Sequence, residues 1–168
     1  SDVCGFPASV KINKNKFISI LAGIPTYFIE NKVKMEVPVI RVMPNTPALV
    51  KKGVFAISKG RYASESDLNF AINFFSGMGK VIKIDEKFQN LVTALSGSGP
   101  AYFFLFCKLI IDAGISNGMD PKIAKRLVVG TMEGAAEILK RKDLDIQEQI
   151  DMVTSPGGTT EKALEVFY

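Results

Sequence analysis

Residues Val37–Val50 read "VPVIRVMPNTPALV". The first half is an apolar run broken only by Arg41, with none of the polar alternation of a half-exposed strand. Such a run is the pattern of a strand buried on both faces, as in a parallel sheet. Pro44 then ends it and the chain turns. Ligands of open α/β sheets bind off the carboxyl ends of strands, so this loop lies where a cofactor would sit. Asn45 and Thr46 can hydrogen-bond a nicotinamide amide, and Pro44 and Pro47 stiffen the loop. Taken alone, the same residues more often make a proline-rich turn with local caps.

Working outward, "KFISILAG" (16–23) is a second strand of this kind, "GVFAIS" (53–58) a third and "KVIKI" (80–84) a fourth. "PTYFIENKV" (25–33) makes a short helix between the first two. Ser64 with Asp67 three residues on forms a capping box. The helix behind it puts Leu68, Ala71, Ile72 and Phe75 on an inner face, and Gly77 and Gly79 end it. Alternation of buried strand and helix predicts an α/β half, specifically the back half of a parallel sheet.

From Phe88 the rhythm becomes helical. "SGSGP" (96–100) opens a helix through "AYFFLFCKLIIDAG" (101–114), whose apolar residues point all round and predict burial on every side. Small residues there let a backbone or ligand come close, although Ser98 as a plain helix cap explains the motif as well. Asp120 and Pro121 start the next helix. It carries Ala124, Val128, Met132, Ala135 and Leu139 on one stripe, and small residues at Gly130 and Gly134. "IQEQIDMV" (146–153) leads to "TSPGGTT" (154–160), just ahead of a last helix. That motif is a cap or a socket for a small anion. Its amides and the hydroxyls of Ser155, Thr159 and Thr160 lie at the positive end of the helix dipole, which favours a carboxylate or phosphate. The predicted architecture is α/β followed by all-α, with domains 1–86 and 87–168.

Composition narrows the chemistry. The hydrophobic fraction of 47% and charged fraction of 23% are those of a globular chain. The apolar run "AYFFLF" is soon interrupted by Lys108 and Asp112, so no membrane span is expected, and no signal peptide opens the chain. The reading is a soluble, cytoplasmic protein. Cys4 and Cys107 form no CxxC pair and read as free thiols. With no histidine in the chain, Ser-His-Asp hydrolysis, Cys-His nucleophiles and HExxH zinc sites are excluded, and no metal site is expected. The net charge of +4 is scattered over many lysines, which is a solvated surface or a fit to an anionic cofactor rather than a nucleic-acid face.

In this order and spacing, "ISILAGI", "RVMPNTPALV", "ALSGSGPAYFFLF", "DAGISNGM" and "MVTSPGGTT" together resemble the pyrroline-5-carboxylate reductase family. The resemblance implies a Rossmann-type domain that binds NADPH or NADH, and a helical domain that dimerises and can assemble further, commonly into decamers. It implies that Ala22 and Gly23 touch the dinucleotide and that Met43, Pro44 and Asn45 lie at its nicotinamide end. Ser155, Gly157, Gly158, Thr159 and Thr160 would hold the substrate carboxylate, with Thr160 as proton donor. The implied substrate is pyrroline-5-carboxylate and the product proline. Members of that family open with a GxGxxG half, and no GxGxxG occurs here, so the chain is expected to be a piece lacking it. Two other readings stand beside this one. The first is a hydroxyacid- or ketopantoate-type reductase, which would place a catalytic lysine or acid on the helical domain, where Lys108 is the lysine of the apolar helix. The second is a non-catalytic helical dimerisation module.

Overall fold

The computed structural model describes residues 16–33, 35–141 and 145–168, so Cys4 lies outside the described residues. The chain divides into two compact units, one ending at Phe104 and the other beginning at Leu105.

The first unit carries β1 (Phe17–Ser19), α1 (Thr26–Val33), β2 (Val39–Met43), a 3₁₀ turn (Thr46–Val50), β3 (Gly53–Lys59), α2 (Glu65–Ser76) and β4 (Gly79–Lys83). The sheet order is β1-β2-β3-β4. Side chains alternate across a strand, so Ile40 and Val42 of β2 and Phe55 and Ile57 of β3 face one way. They form a core with Leu68, Ala71 and Phe75 of α2. The other face is buried as well: Val39 and Arg41 of β2 and Ala56 and Ser58 of β3 are all inaccessible. β2 is therefore buried on both faces, as its apolar run, broken only by Arg41, predicts. The capping box is present at the start of α2, where Ser64 accepts from the Asp67 amide and Asp67 accepts from the Ser64 amide.

The sheet is not wholly parallel. β1 and β2 pair in parallel, as do β3 and β4, but β2 and β3 are antiparallel. Connection length is the reason. A parallel return needs about a dozen or more residues, usually with a helix, and Pro44–Lys52 holds only the 3₁₀ turn. The reversal is completed at Lys51, whose φ of 58° is the one positive value at a non-glycine among the described residues.

A short 3₁₀ turn (Glu86–Phe88), α3 (Gln89–Val92) and a π-helical turn (Thr93–Gly97) follow the sheet and run into α4 (Gly99–Ser116). "SGSGP" is thus a junction inside a nearly continuous helical run. Ser98 does not cap a new helix; its amide donates to the Thr93 carbonyl at 2.8 Å.

The second unit holds the rest of α4, then α5 (Pro121–Ile138), α6 (Ile146–Asp151) and α7 (Thr159–Phe167). Asp120 caps α5 by accepting from the amides of Lys122 and Ile123. α5 meets α4 where a Cβ on Gly114 would lie 3.5 Å from that of Ala124, and where Cys107 and Met132 bring their sulfurs to 3.3 Å. α7 reaches α4 through the Phe106–Phe167 ring pair at 5.7 Å. Those contacts cover one side of α4 only. Leu105 and Leu109 stay more than half exposed, so burial on every side does not hold within one chain. On α5 the stripe is likewise covered at Ala124, Val128 and Met132 but open at Ala135 and Leu139.

One further expectation needs correction. The run Glu86–Ser116 contains an 18-residue window long and apolar enough to cross a membrane, of which 11% is buried. Lys108 and Asp112 are too few to offset the surrounding apolar residues, and they pair with each other one turn apart on the helix. An apolar helix laid against another protein surface has the same length and composition.

Candidate functional site

The parallel pairing of β1 with β2 aligns Ser19 with Arg41, so the segments holding Ala22–Gly23 and Met43–Asn45 leave the same edge of the sheet, at the carboxyl ends of neighbouring strands. Gly23 has φ 74°, and a Cβ there would meet none of the described residues within 4 Å. The turn is open, with room for a ligand to approach the backbone.

Asn45 is held at both ends of its side chain. Its Oδ1 accepts from the Val54 amide at 2.9 Å, and its Nδ2 donates to Ser96 Oγ at 3.3 Å. One amide proton and one lone pair are left over for a ligand. Met43 sits against the same junction: a Cβ on Gly97 would come within 2.6 Å of the Met43 methyl. The β2 exit loop and the "SGSGP" motif therefore come together, and Ser96 and Gly97 join the residues named from sequence. They lie in the π-helical turn, a feature often found at functional sites.

A polar cluster beneath this loop escaped the sequence reading. Arg41 is buried, yet its guanidinium is served on two sides. Nη2 donates to Asn90 Oδ1 at 3.1 Å, and Nη1 lies 3.6 Å from Glu86 Oε1. Glu86 also accepts from the Thr26 amide and hydroxyl, each at 2.7 Å, at the start of α1. Gln89, fully buried beside them, donates to the Ala56 carbonyl at 3.1 Å and to Ser58 Oγ at 3.0 Å. These partners are far apart in sequence, and no local pattern signals them.

The third motif lies in the second unit, at the head of α7. Gly157 takes φ 72°, and Gly158 is the N-cap without a side-chain cap bond. The close approach of Gly158 to Ser155, whose Oγ would lie 2.5 Å from an added Cβ, admits only glycine without rearrangement. The Gly158 amide donates to the Ser155 carbonyl at 2.9 Å, and the Gly157 amide to Glu161 at 2.8 Å. Among the described residues, no hydrogen bond engages the hydroxyls of Ser155, Thr159 or Thr160, or the amides of Thr159, Thr160 and Glu161. A motif built only as a cap would use those hydroxyls on its own backbone. Here they stand free together at a helix N-terminus, where an anion is favoured.

Residues 86–168 match the family described as pyrroline-5-carboxylate reductase dimerisation. This segment, residues 86–168, belongs to that family. The resemblance extends beyond it. A pyrroline-5-carboxylate reductase of Corynebacterium melassecola is 40% identical over 147 residues, which cover 88% of this chain and 54% of the relative. The structure of the Plasmodium falciparum pyrroline carboxylate reductase with NADP bound matches with a TM-score of 0.86 and 36% identity, over 90% of this chain and 61% of that one. The Streptococcus pyogenes 1-pyrroline-5-carboxylate reductase structure matches with a TM-score of 0.87 and 32% identity, over 90% of this chain and 59% of that one. The chain thus spans little more than half the length of the pyrroline-5-carboxylate reductases it matches.

Proposed function

We propose that this chain carries part of an enzyme that reduces 1-pyrroline-5-carboxylate to L-proline with NADPH or NADH, the last step of proline biosynthesis. The observation that carries the reading is the set of free hydroxyls and amides at Ser155–Glu161, within the segment that matches the family. Residues 1–86 are assigned to part of a Rossmann-like dinucleotide-binding domain and 87–168 to a helical domain for substrate binding and dimerisation. The working assembly is a homodimer, with a decamer as the larger form, in the cytoplasm.

A bound reduced nicotinamide supplies the hydride, which goes to C5 of the cyclic imine. The open turn at Ala22–Gly23 and the stiff Met43–Pro44–Asn45 loop suit its dinucleotide, since both leave the same sheet edge. Gly157 and Gly158 let the chain approach closely, while Ser155 and Thr159 and the helix amides hold the substrate carboxylate. Thr160 directs its hydroxyl at the ring nitrogen and donates its proton there. The imine is electrophilic once protonated, so binding in near-attack geometry is most of the protein's task. This chemistry needs no imidazole, in keeping with a chain that has none. The hydroxyacid-reductase reading is weaker, because Lys108 is exposed and already paired with Asp112.

Charge-assisted hydrogen bonds contribute about 1.5–3 kcal/mol each. In the protein at the full length of its relatives, Thr159→Ala should raise KM for the imine by about tenfold or more, with little effect on the dinucleotide. Thr160→Ala should lower kcat as well, by about 10² to 10⁴. Wild-type kcat/KM in both variants would reduce the motif to a cap.

A further inference from the structure

One carboxylate reaches two elements that the proposed cofactor loops depend on, and a third through its cationic partner. Glu86 accepts from both the amide and the hydroxyl of Thr26, at 2.7 Å each, and Thr26 follows the Ala22–Gly23 turn directly. Glu86 also faces the buried Arg41 guanidinium at 3.6 Å, two residues before Met43. Arg41 in turn holds Asn90 at 3.1 Å, in the helical run that leads to Ser96 and Gly97. Gln89 fastens that run to β3 through Ala56 and Ser58. The side chain of Glu86 is 26% exposed and that of Arg41 5%, so the carboxylate is close to solvent while its cationic partner is not. A surface pair of this kind would be worth little. A pair that stands at the mouth of three segments, with two further hydrogen bonds in fixed directions, sets their relative placement.

We propose that Glu86 is a positioning residue, a clasp that holds the β1–α1 turn and the end of β2 in register with the π-helical turn and so sets where the dinucleotide lies. The proposal rests on the functional reading above for its ligand, but the clasp itself is tested apart from it. Glu86→Gln keeps an acceptor for Thr26 and removes the charge facing Arg41. Thr26→Val removes the hydroxyl at nearly constant volume and is the milder change. Glu65→Gln, at an exposed carboxylate paired with Lys59 and Lys83, is the control.

The first measurement is hydrogen–deuterium exchange by mass spectrometry on the chain itself. Both clasp variants should exchange faster than wild type in the peptides covering residues 20–27 and 41–46, and the control should not. The second is steady-state kinetics with NADPH on the protein at the full length of its relatives. Both clasp variants should raise KM for NADPH by about tenfold, the effect of one charge-assisted hydrogen bond, and change kcat much less. Unchanged exchange in both peptides would overturn the clasp. Faster exchange with an unchanged KM for NADPH would overturn the positioning role and leave only a structural one. A wild-type enzyme that oxidises no NADPH would sink the functional reading and the positioning role together, while the exchange result would still decide whether the clasp exists.

Discussion

The ionisation of Asp67 is tied to the fold. Its carboxyl is lowered to about 2 from 3.8, chiefly by the Ser64 hydroxyl and then by Lys16. A carboxylate depressed in the folded state stabilises above its unfolded pKa, and that contribution is lost as pH falls through the folded one. Asp67→Asn should therefore lower the urea midpoint near neutral pH, and the gap to wild type should close between pH 3.8 and about 2. A gap constant across that range would contradict the assignment. Gly79 makes a second residue-level test. Its φ is 153°, and an added Cβ would lie 2.0 Å from the Gly53 carbonyl oxygen. The obstacle is backbone, so Gly79→Ala should cost about 3 kcal/mol in urea unfolding. At this scale the sequence was informative where partners are near neighbours. Ser64 with Asp67 could be read off directly, and so could the glycines of Thr154–Thr160. Arg41 with Glu86, and Asn45 with Ser96, could not, because only the folded sheet brings them together.

Among the elements, β2 was the most legible, because burial on both faces leaves an apolar run without polar alternation. Its direction relative to β3 was not, since antiparallel and parallel neighbours demand the same apolar character of a central strand. The deciding signal was the shortness of Pro44–Lys52, too little chain for a crossover helix. α2 depends on the core it shares with β2 and β3. Leu68 is 1% exposed there, and Leu68→Ala should cost about 2–5 kcal/mol, read by chemical denaturation. α4 shows the opposite limit of pattern reading. Its all-round apolar sequence predicts burial on every side, and within one chain Leu105 and Leu109 stay exposed.

For the molecule as a whole, that need is the argument for assembly. Leu105 and Leu109 on α4 and Ile123 and Leu127 on α5 are each more than half exposed, and a Cβ on Gly130 or Gly134 would meet nothing within 4 Å. Exposed apolar side chains in such number suit an interface, and the family match over residues 86–168 is to a dimerisation segment. Light scattering at micromolar concentration should give a mass at least twice that of one chain. Leu105→Asp with Leu109→Asp should shift it to the monomer. A wild-type monomer, or partition of the chain into lipid vesicles in preference to self-association, would contradict the assembly and turn attention to the apolar Glu86–Ser116 run. The central claim is that the free hydroxyls and amides at the head of α7 serve imine reduction. The direct measurement follows NADPH absorbance and L-proline together, using 1-pyrroline-5-carboxylate and the protein at the full length of its relatives. One proline formed for each NADPH oxidised, with no oxidation of NADPH on 2-keto acids, is the predicted result. NADPH consumed without proline, or no consumption at all by a folded, assembled enzyme, would contradict it.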